Sequence, residues 1–325
     1  MKNSTFWSIA VVIVVVVVAF SVVGYHYRAP QPQRGEIVIH DALGTKFVFQ
    51  QPLTRIVSLD PSATVTLYAL GAYKDLVGGN PFDYYPPNET LPNVGNSFSV
   101  NYEELVNLSP QAVLGYGTTM PSYGYTINNT LDIPFILDNP ESFSQIENFT
   151  LMLGELTGTE SNASKIVDWM NESIDAIDSA LSQIHQRYTV FYYLYAPGDW
   201  TAGNGTFLNQ IFQYSGLINI ATAPGYYEVN PSFIANATAN NSPQVILLDQ
   251  YVNYSNVQVE PFNSTPAYID HRVYTLFNDS FFNEPDFRIM YAIQWLIYEV
   301  YHVYVQLPQF PIALKYPPTL GMPSI

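Results

Sequence analysis

Cysteine is absent from the 325 residues. That excludes disulfide scaffolds, thiolate zinc and iron–sulfur sites, cysteine nucleophiles and a lipid anchor on an N-terminal Cys. Basic residues are scarce as well, with 11 Lys and Arg against 27 Asp and Glu and a net charge of −16. A nucleic-acid partner needs a basic footprint to release counterions, so that class of partner is set aside. The five His include His40, His185, His271 and His302, scattered singly with no pair at ligand spacing, so no metal centre is expected. There is no Gly-x-Ser-x-Gly elbow and no His-Glu-x-x-His pair, and Gly203-Asn-Gly205-Thr206 lacks the Lys that would reach a phosphate. With no catalytic constellation, the expectation is a protein that is not an enzyme and needs no cofactor.

What the chain does hold is apolar and aromatic weight, 48% and 15% of its residues, enough for two modest domains. The run Phe6 to Val23 is broken only by Ser8 and Ser21 and reaches the length of a membrane span. Two readings stand: an uncleaved N-terminal transmembrane anchor, which the length favours, or a cleaved signal peptide with Ala19-Phe20-Ser21 as its cleavage site. Asn-x-Ser/Thr sequons occur at Asn3, Asn88, Asn107, Asn128, Asn148, Asn162, Asn171, Asn204, Asn236, Asn240, Asn253, Asn263 and Asn278. From 25 Asn and 44 Ser plus Thr, chance yields about 3.4. Twelve of the thirteen follow the apolar run, so the chain is expected to be exported, glycosylated and held at the cell surface. Sparse charge, carboxylate excess and dense sequons together suggest an archaeal surface protein.

Residues 1–28 are thus read as anchor or signal and 29–35 as a Pro-containing spacer. A hairpin turning at Leu43-Gly44 opens a first α/β lobe over 36–158, with strands at Ile56–Leu59, Leu76–Gly78, Ala112–Leu114 and Phe135–Leu137 and a helix capped by Ser62. From Glu160 to Arg187, Ala163, Ile166, Val167, Met170, Ile174, Ile177, Leu181 and Ile184 keep helical spacing with no Gly or Pro. One backbone helix is predicted over 159–187, about 40 Å long. A second α/β lobe follows over 188–307, with strands at Val190–Leu194, Val245–Leu248 and Val273–Leu276 and helices over Phe207–Tyr214 and Phe287–Gln306. The tail 308–325 is Pro-rich and reads as irregular. Short apolar strands alternating with helices argue two Rossmann-like α/β lobes with parallel sheets and a ligand cleft between them.

Against this frame, Asp41-Ala-Leu-Gly44, Arg55-Ile-Val-Ser-Leu-Asp-Pro-Ser62, Tyr68-Ala-Leu-Gly71, Asp83-Tyr-Tyr-Pro-Pro87, Pro92-Asn-Val-Gly95 and Asn101-Tyr-Glu-Glu-Leu105 resemble the first lobe of substrate-binding proteins of ABC importers for cobalamin, haem and iron–siderophore complexes. In the second half Trp200-Thr-Ala-Gly203, Ser242-Pro-Gln-Val-Ile246, Arg272-Val-Tyr274 and Phe287-Arg288 fall in that family's order. The resemblance implies a helical-backbone, class III binding protein that captures a metal chelate and delivers it to a permease with its ATPase subunits. It also implies aromatic ligand contacts, which map here onto Tyr85, Phe98, Tyr116, Trp200, Tyr226 and Phe281. Arg288 could meet an anionic group in the cleft or an acid of its own lobe. Siderophores need basic clamps, of which this chain has few, so cobalamin leads over ferric siderophore and haem. Permease docking in the family uses one Glu per lobe. Glu103 matches the first, while Ser232 stands where the second is expected, with Glu228 nearby as a substitute. The chain is expected to act as a monomer. The alternative of another class is a surface or envelope glycoprotein that keeps the fold without transport.

Overall fold

Short β-branched and aromatic runs alternate with helices along the chain. A computed structural model, which describes residues 35–87, 90–235 and 242–317, lays those runs down as two parallel sheets of the same winding. β1 (Ile37–His40) and β2 (Lys46–Phe49) form the expected hairpin. Its turn is held by the Asp41 carboxylate, which accepts from the Leu43 and Thr45 N–H groups, while Gly44 takes φ 77°.

The first lobe comprises β3 (Ile56–Ser58), α1 (Pro61–Ala69), β4 (Leu76–Gly78), the small pair β5 (Gly95–Asn96) and β6 (Ser99–Val100), α2 (Tyr102–Leu108), β7 (Ala112–Tyr116), β8 (Phe135–Asp138) and α3 (Phe143–Thr157). Its sheet runs β4-β3-β7-β8, all parallel. α4 (Glu160–Leu181) leads to the second lobe: β9 (Thr189–Tyr193), β10 (Trp200–Ala202), α5 (Phe207–Tyr214), β11 (Ile218–Asn219), β12 (Tyr226–Glu228), β13 (Val245–Leu248), β14 (Val273–Thr275) and α6 (Ile289–Tyr301). Here the parallel order is β11-β9-β13-β14. In both sheets the second strand lies on one side of the first and the later two on the other. The chain therefore switches direction between β3 and β7 and between β9 and β13. Ligand crevices of such sheets open at the carboxyl ends of those strands.

Several element limits differ from the sequence expectation, each for a local reason. α1 is capped by Asp60 rather than Ser62: the Asp60 carboxylate accepts from the Ser62 and Ala63 N–H groups at 3.1 and 3.0 Å, with Pro61 in the first turn. The backbone helix stops at Leu181 instead of Arg187, because the Arg187 guanidinium turns back and donates to the Leu181 carbonyl at 3.2 Å. The last helix is shorter at both ends. It stops where His302 turns left-handed at φ 56°, and Gln294 ties the chain beyond it by donating to the Val305 carbonyl at 2.6 Å.

One apolar core runs through both lobes. Ile166, Met170 and Ile177 of α4 belong to the same buried cluster as Ile56 and Leu114 of the first lobe and Val190, Leu247 and Ile293 of the second. The lobes are thus joined by shared burial as well as by covalent connection. Residues 308–317 of the tail are irregular, yet fixed: Trp169 of α4 donates to the Pro308 carbonyl at 2.9 Å, and the Phe310 ring packs 5.1 Å from Trp169 and 5.0 Å from Phe287. The expected N-terminal anchor, most of the spacer, Asn3, Asn88, Asn236, Asn240 and the end of the tail lie outside the described residues. Among the described residues no helix is long and apolar enough to cross a membrane.

Candidate ligand cleft

The strand ends of the two lobes meet through a reciprocal clasp. Glu141, three residues after β8, accepts from the Phe207 N–H at the start of α5 at 2.9 Å, and Gln210 of α5 accepts from the Phe143 N–H at the start of α3 at 3.2 Å. The first N–H of each helix is taken by a side chain of the other lobe, while Ser142 and Thr206 cap the same helices from their own lobes. The Phe143 and Tyr214 rings pack 4.2 Å apart behind it.

Tyr116, the last residue of β7, lies within electrostatic reach of Glu141 and of Tyr226 from the other lobe. Burial, then the Glu141 charge, raises both phenols well above their ordinary pKa and keeps them protonated. Both rings keep exposed faces, 39% and 46% of the residue. On the antiparallel ribbon β10–β12, Trp200 sits opposite Glu228 and Ala202 opposite Tyr226. Residues directly opposite share a face, as do alternate residues along a strand, so Trp200, Tyr226 and Glu228 line one side of this ribbon. Tyr116, Trp200 and Tyr226 are therefore the expected aromatics that remain available to a ligand.

The other three are placed differently. Tyr85 packs edge-on against Tyr68 at 5.4 Å and donates its hydroxyl to the carbonyl of Tyr316, so the tail covers it. Phe281 is 5% exposed, packed against Phe277 at 5.1 Å and beneath Arg288. Phe98 tips the β5–β6 hairpin, 96% exposed.

Arg288 is 1% exposed and held by its own lobe, as one of its two expected roles required. It pairs with Asp286 at 2.6 Å and with Glu284, and its guanidinium lies 5.5 Å over the Tyr85 ring of the first lobe. Burial works against its charge, but Asp286 and Glu284 outweigh that and keep it protonated. Glu284 is pushed up to about 8 by burial, against the pull of Arg288.

Sequence reasoning missed the acids of the crevice. Asp60 follows β3 and Asp138 ends β8; they are 3% and 5% exposed. Neither Asp138 oxygen meets a donor among the described residues. Its partner is the Asp60 carboxyl, and a proton on Asp138 turns that like-charge contact into a hydrogen bond, with burial first and the Asp60 charge second raising the Asp138 pKa. Burial likewise raises Asp83 to about 7, although the Asn80 N–H and amide donate to it. In the second lobe Asp249, just after β13, accepts from Tyr192 at 2.6 Å and from the Asn283 amide at 3.1 Å. A local signal was present: Ser-Leu-Asp60, Ile-Leu-Asp138 and Leu-Leu-Asp249 each put an acid at the exit of an apolar strand.

Of the docking candidates, Glu103 is exposed in the first turn of α2, Glu228 shares the ribbon face with the aromatics, and Ser232 is exposed. Among the sequons, Asn107, Asn148, Asn171, Asn204, Asn253 and Asn278 are exposed. Two of these exposed amides are engaged, Asn171 on the Val167 carbonyl at 3.0 Å and Asn204 on the Thr222 carbonyl at 2.7 Å; the amide of Asn162 likewise donates to the Leu70 carbonyl at 2.9 Å and that of Asn263 to the Gln258 carbonyl at 3.2 Å, while Asn128 is half-buried. A groove of about 570 Å³ between the β1–β2 hairpin and α3 includes Thr118, Asp138, Asn139 and Pro140 in its lining, and another of about 640 Å³ lies at the opposite end of the second sheet, around Tyr188 and His271. Among the described residues no three His, Asp or Glu side chains come together as a metal-holding group.

Two parallel-sheet lobes closed by a helix and a shared core, with aromatics facing across the crevice, define the two-lobed class of solute-binding folds. Residues 56–279 match the periplasmic binding protein family, and the chain belongs to it. It is 26% identical over 246 residues, 73% of its length and 77% of the other, to an uncharacterized ABC transporter substrate-binding lipoprotein of Bacillus subtilis. It is 25% identical over 260 residues, 77% of its length and 70% of the other, to a cobalamin-binding protein of Halobacterium salinarum. It also has the fold of a periplasmic heme-binding protein from Roseiflexus sp. RS-1, with a TM-score of 0.67 at 22% identity over 76% of this chain and 98% of that one. Members of this family bind and are not enzymes.

Proposed function

We propose that this chain is the extracytoplasmic substrate-binding component of an ABC importer. It captures a metal-chelate nutrient, cobalamin ahead of ferric siderophore or haem, and passes it unchanged to a permease and its ATPase. The observation that carries the reading is the aromatic pair Tyr116 and Tyr226, one from each lobe, flanking Glu141 with exposed ring faces, with Trp200 beside them. Flat rings bury much area on a macrocycle at low entropic cost. The cobalamin-binding relative from Halobacterium supports the choice of ligand. In this reading Glu103 docks the first lobe on the permease and Glu228 stands in for the second acid. The chain works as a monomer at the surface of an archaeal cell, tethered by its N-terminal segment and glycosylated at its exposed sequons.

Calorimetric titration of the full chain with cyanocobalamin, haem and a ferric siderophore tests this. Submicromolar cobalamin binding, weakened at least tenfold in Tyr116→Ala and Trp200→Ala, is the expected result. Tight binding of another chelate replaces the ligand and keeps the class. A folded chain that binds none of them moves the reading to an envelope glycoprotein.

A further inference from the structure

The cations of this molecule keep to one end of the strands, where Asp75 and Asp270 also stand. Arg55, Lys74, Arg187 and Arg272 stand one or two residues before β3, β4, β9 and β14, at the end of each sheet remote from the crevice. There the three arginines are engaged locally, Arg55 on the Ser109 carbonyl at 3.2 Å, Arg187 on the Leu181 carbonyl at 3.2 Å and Arg272 on the Gln244 carbonyl at 2.8 Å. Acids hold the opposite ends: Asp60 after β3, Asp138 and Glu141 at the exit of β8, Asp249 after β13 and Asp279 after β14. Of the remaining described cations, Lys46 is exposed on the outer hairpin, Lys165 lies on α4, Lys315 covers the Tyr316 ring in the tail, and Arg288 is consumed by Asp286 and Glu284.

The helices that follow the strands aim their N-termini at the crevice, and a free helix N-terminus is where an anion binds. Here those positions are already filled from within the chain. The Asp60 carboxylate occupies the start of α1, and Glu141 occupies the start of α5 from across the cleft. Asp138, 5% exposed, adds a buried carboxyl whose only partner among the described residues is another acid, Asp60. The crevice thus offers acceptors and aromatic faces but, among the described residues, no unspent cation.

We propose that the cleft selects its ligand by charge, accepting uncharged or cationic chelates and turning away anionic ones, with Glu141 as the specificity-determining residue. This rests on the receptor reading above and narrows its substrate class to macrocycles rich in hydrogen-bond donors that carry no free carboxylates. Glu141 is suited to the role because it belongs to one lobe and accepts from the Phe207 N–H of the other at 2.9 Å.

The test uses porphyrins of one ring size and opposite charge, the tetracationic N-methylpyridyl and the tetra-anionic sulfonatophenyl forms, alongside cyanocobalamin and haem. Quenching of tryptophan fluorescence of the full chain is followed at 0.15 M and 1 M salt. The cationic porphyrin is expected to bind at least tenfold more tightly than the anionic one. Glu141→Lys should cut that ratio by about tenfold, since one charge is reversed within contact distance of the ligand. Asp175→Lys makes the same change of net charge on the exposed face of α4 and should leave the ratio in place at 1 M salt, where screening acts within about 3 Å. Equal binding of the two porphyrins, or haem as tight as cyanocobalamin, overturns the charge proposal and leaves the receptor standing. A ratio that Asp175→Lys moves as much as Glu141→Lys overturns the role of Glu141. Cationic porphyrin binding without cobalamin binding supports the charge proposal and removes cobalamin, and a folded chain that takes none of the probes sinks both.

Discussion

The protein should be more stable in mild acid than at alkaline pH, against the usual trend for a chain of paired carboxylates. Asp83 and Glu284 are raised from 3.8 and 4.5 to about 7 and about 8, and burial also raises Asp60 and Asp138. A carboxyl whose folded pKa exceeds its unfolded one binds its proton more tightly in the native state. Its stabilising effect is complete below the unfolded value and is lost as pH rises through the folded value, here between about 4 and 8. At about 1.4 kcal/mol per pH unit for each group, Asp83 alone contributes on the order of 4 kcal/mol across that window, and Glu284 a similar amount. Typical net stability is about 5–15 kcal/mol, so the effect is a large fraction of the whole. With a urea slope of about 3 kcal/mol/M, the unfolding midpoint should fall by at least about 1 M between pH 5 and pH 8. Repulsion within a net charge of −16 acts in the same direction, because acid also discharges the surface. Salt separates the two: 1 M NaCl suppresses interactions between exposed charges but leaves burial untouched. The assay is urea unfolding followed by circular dichroism at pH 5, 6, 7 and 8 in 1 M NaCl, on the wild type and on Asp83→Asn. The variant should lose about one proton's worth of slope between pH 5 and 7. A midpoint that stays flat in high salt, or a slope unchanged in Asp83→Asn, refutes the reasoning from buried carboxyls.

Arg288→Met removes the partner of two acids and leaves Asp286 fully buried with an unpaired charge. Thermal melts at pH 8 should show a loss of about 3–5 kcal/mol, shrinking at pH 5, where Glu284 carries its proton. Gln210→Ala deletes the acceptor for the Phe143 N–H across the lobe boundary, a loss of about 1–2 kcal/mol. Hydrogen exchange should quicken at Phe143, with Phe207 following if the two halves of the clasp act together; protection unchanged at both amides would show that the clasp does not restrain the lobes.

What was legible in the sequence and what was not divides along the range of the interactions. Short apolar runs such as Phe135–Leu137 and Val245–Leu248 specify central parallel strands by themselves, because a strand buried on both faces is apolar through its buried length. The periodic apolar stripe of α4 did the same for the helix between the lobes, and only its end was misplaced, because Arg187 caps the Leu181 carbonyl after the turn that follows the helix. The aromatic candidates were harder, since an aromatic at a strand exit serves a ligand or a core with the same local sequence around it. Tyr85 is decided by Tyr316, 231 residues away, and Phe281 by the packing of Arg288 and Phe277. No periodicity in a window of a dozen residues reports such partners. The acids show the converse. Asp60, Asp138 and Asp249 carry a purely local signature, yet a search for constellations by residue type passes over them, because single acids after strands look like turn formers. Their meaning emerges only when the winding of two sheets brings the exits of β3, β8 and β13 to one crevice and the bases to the opposite ends. A search of strand exits by charge, made after topology is assigned and before any search for motifs, would have found this crevice from sequence, because polarity along a parallel sheet is inherited directly from the order of residues around each strand.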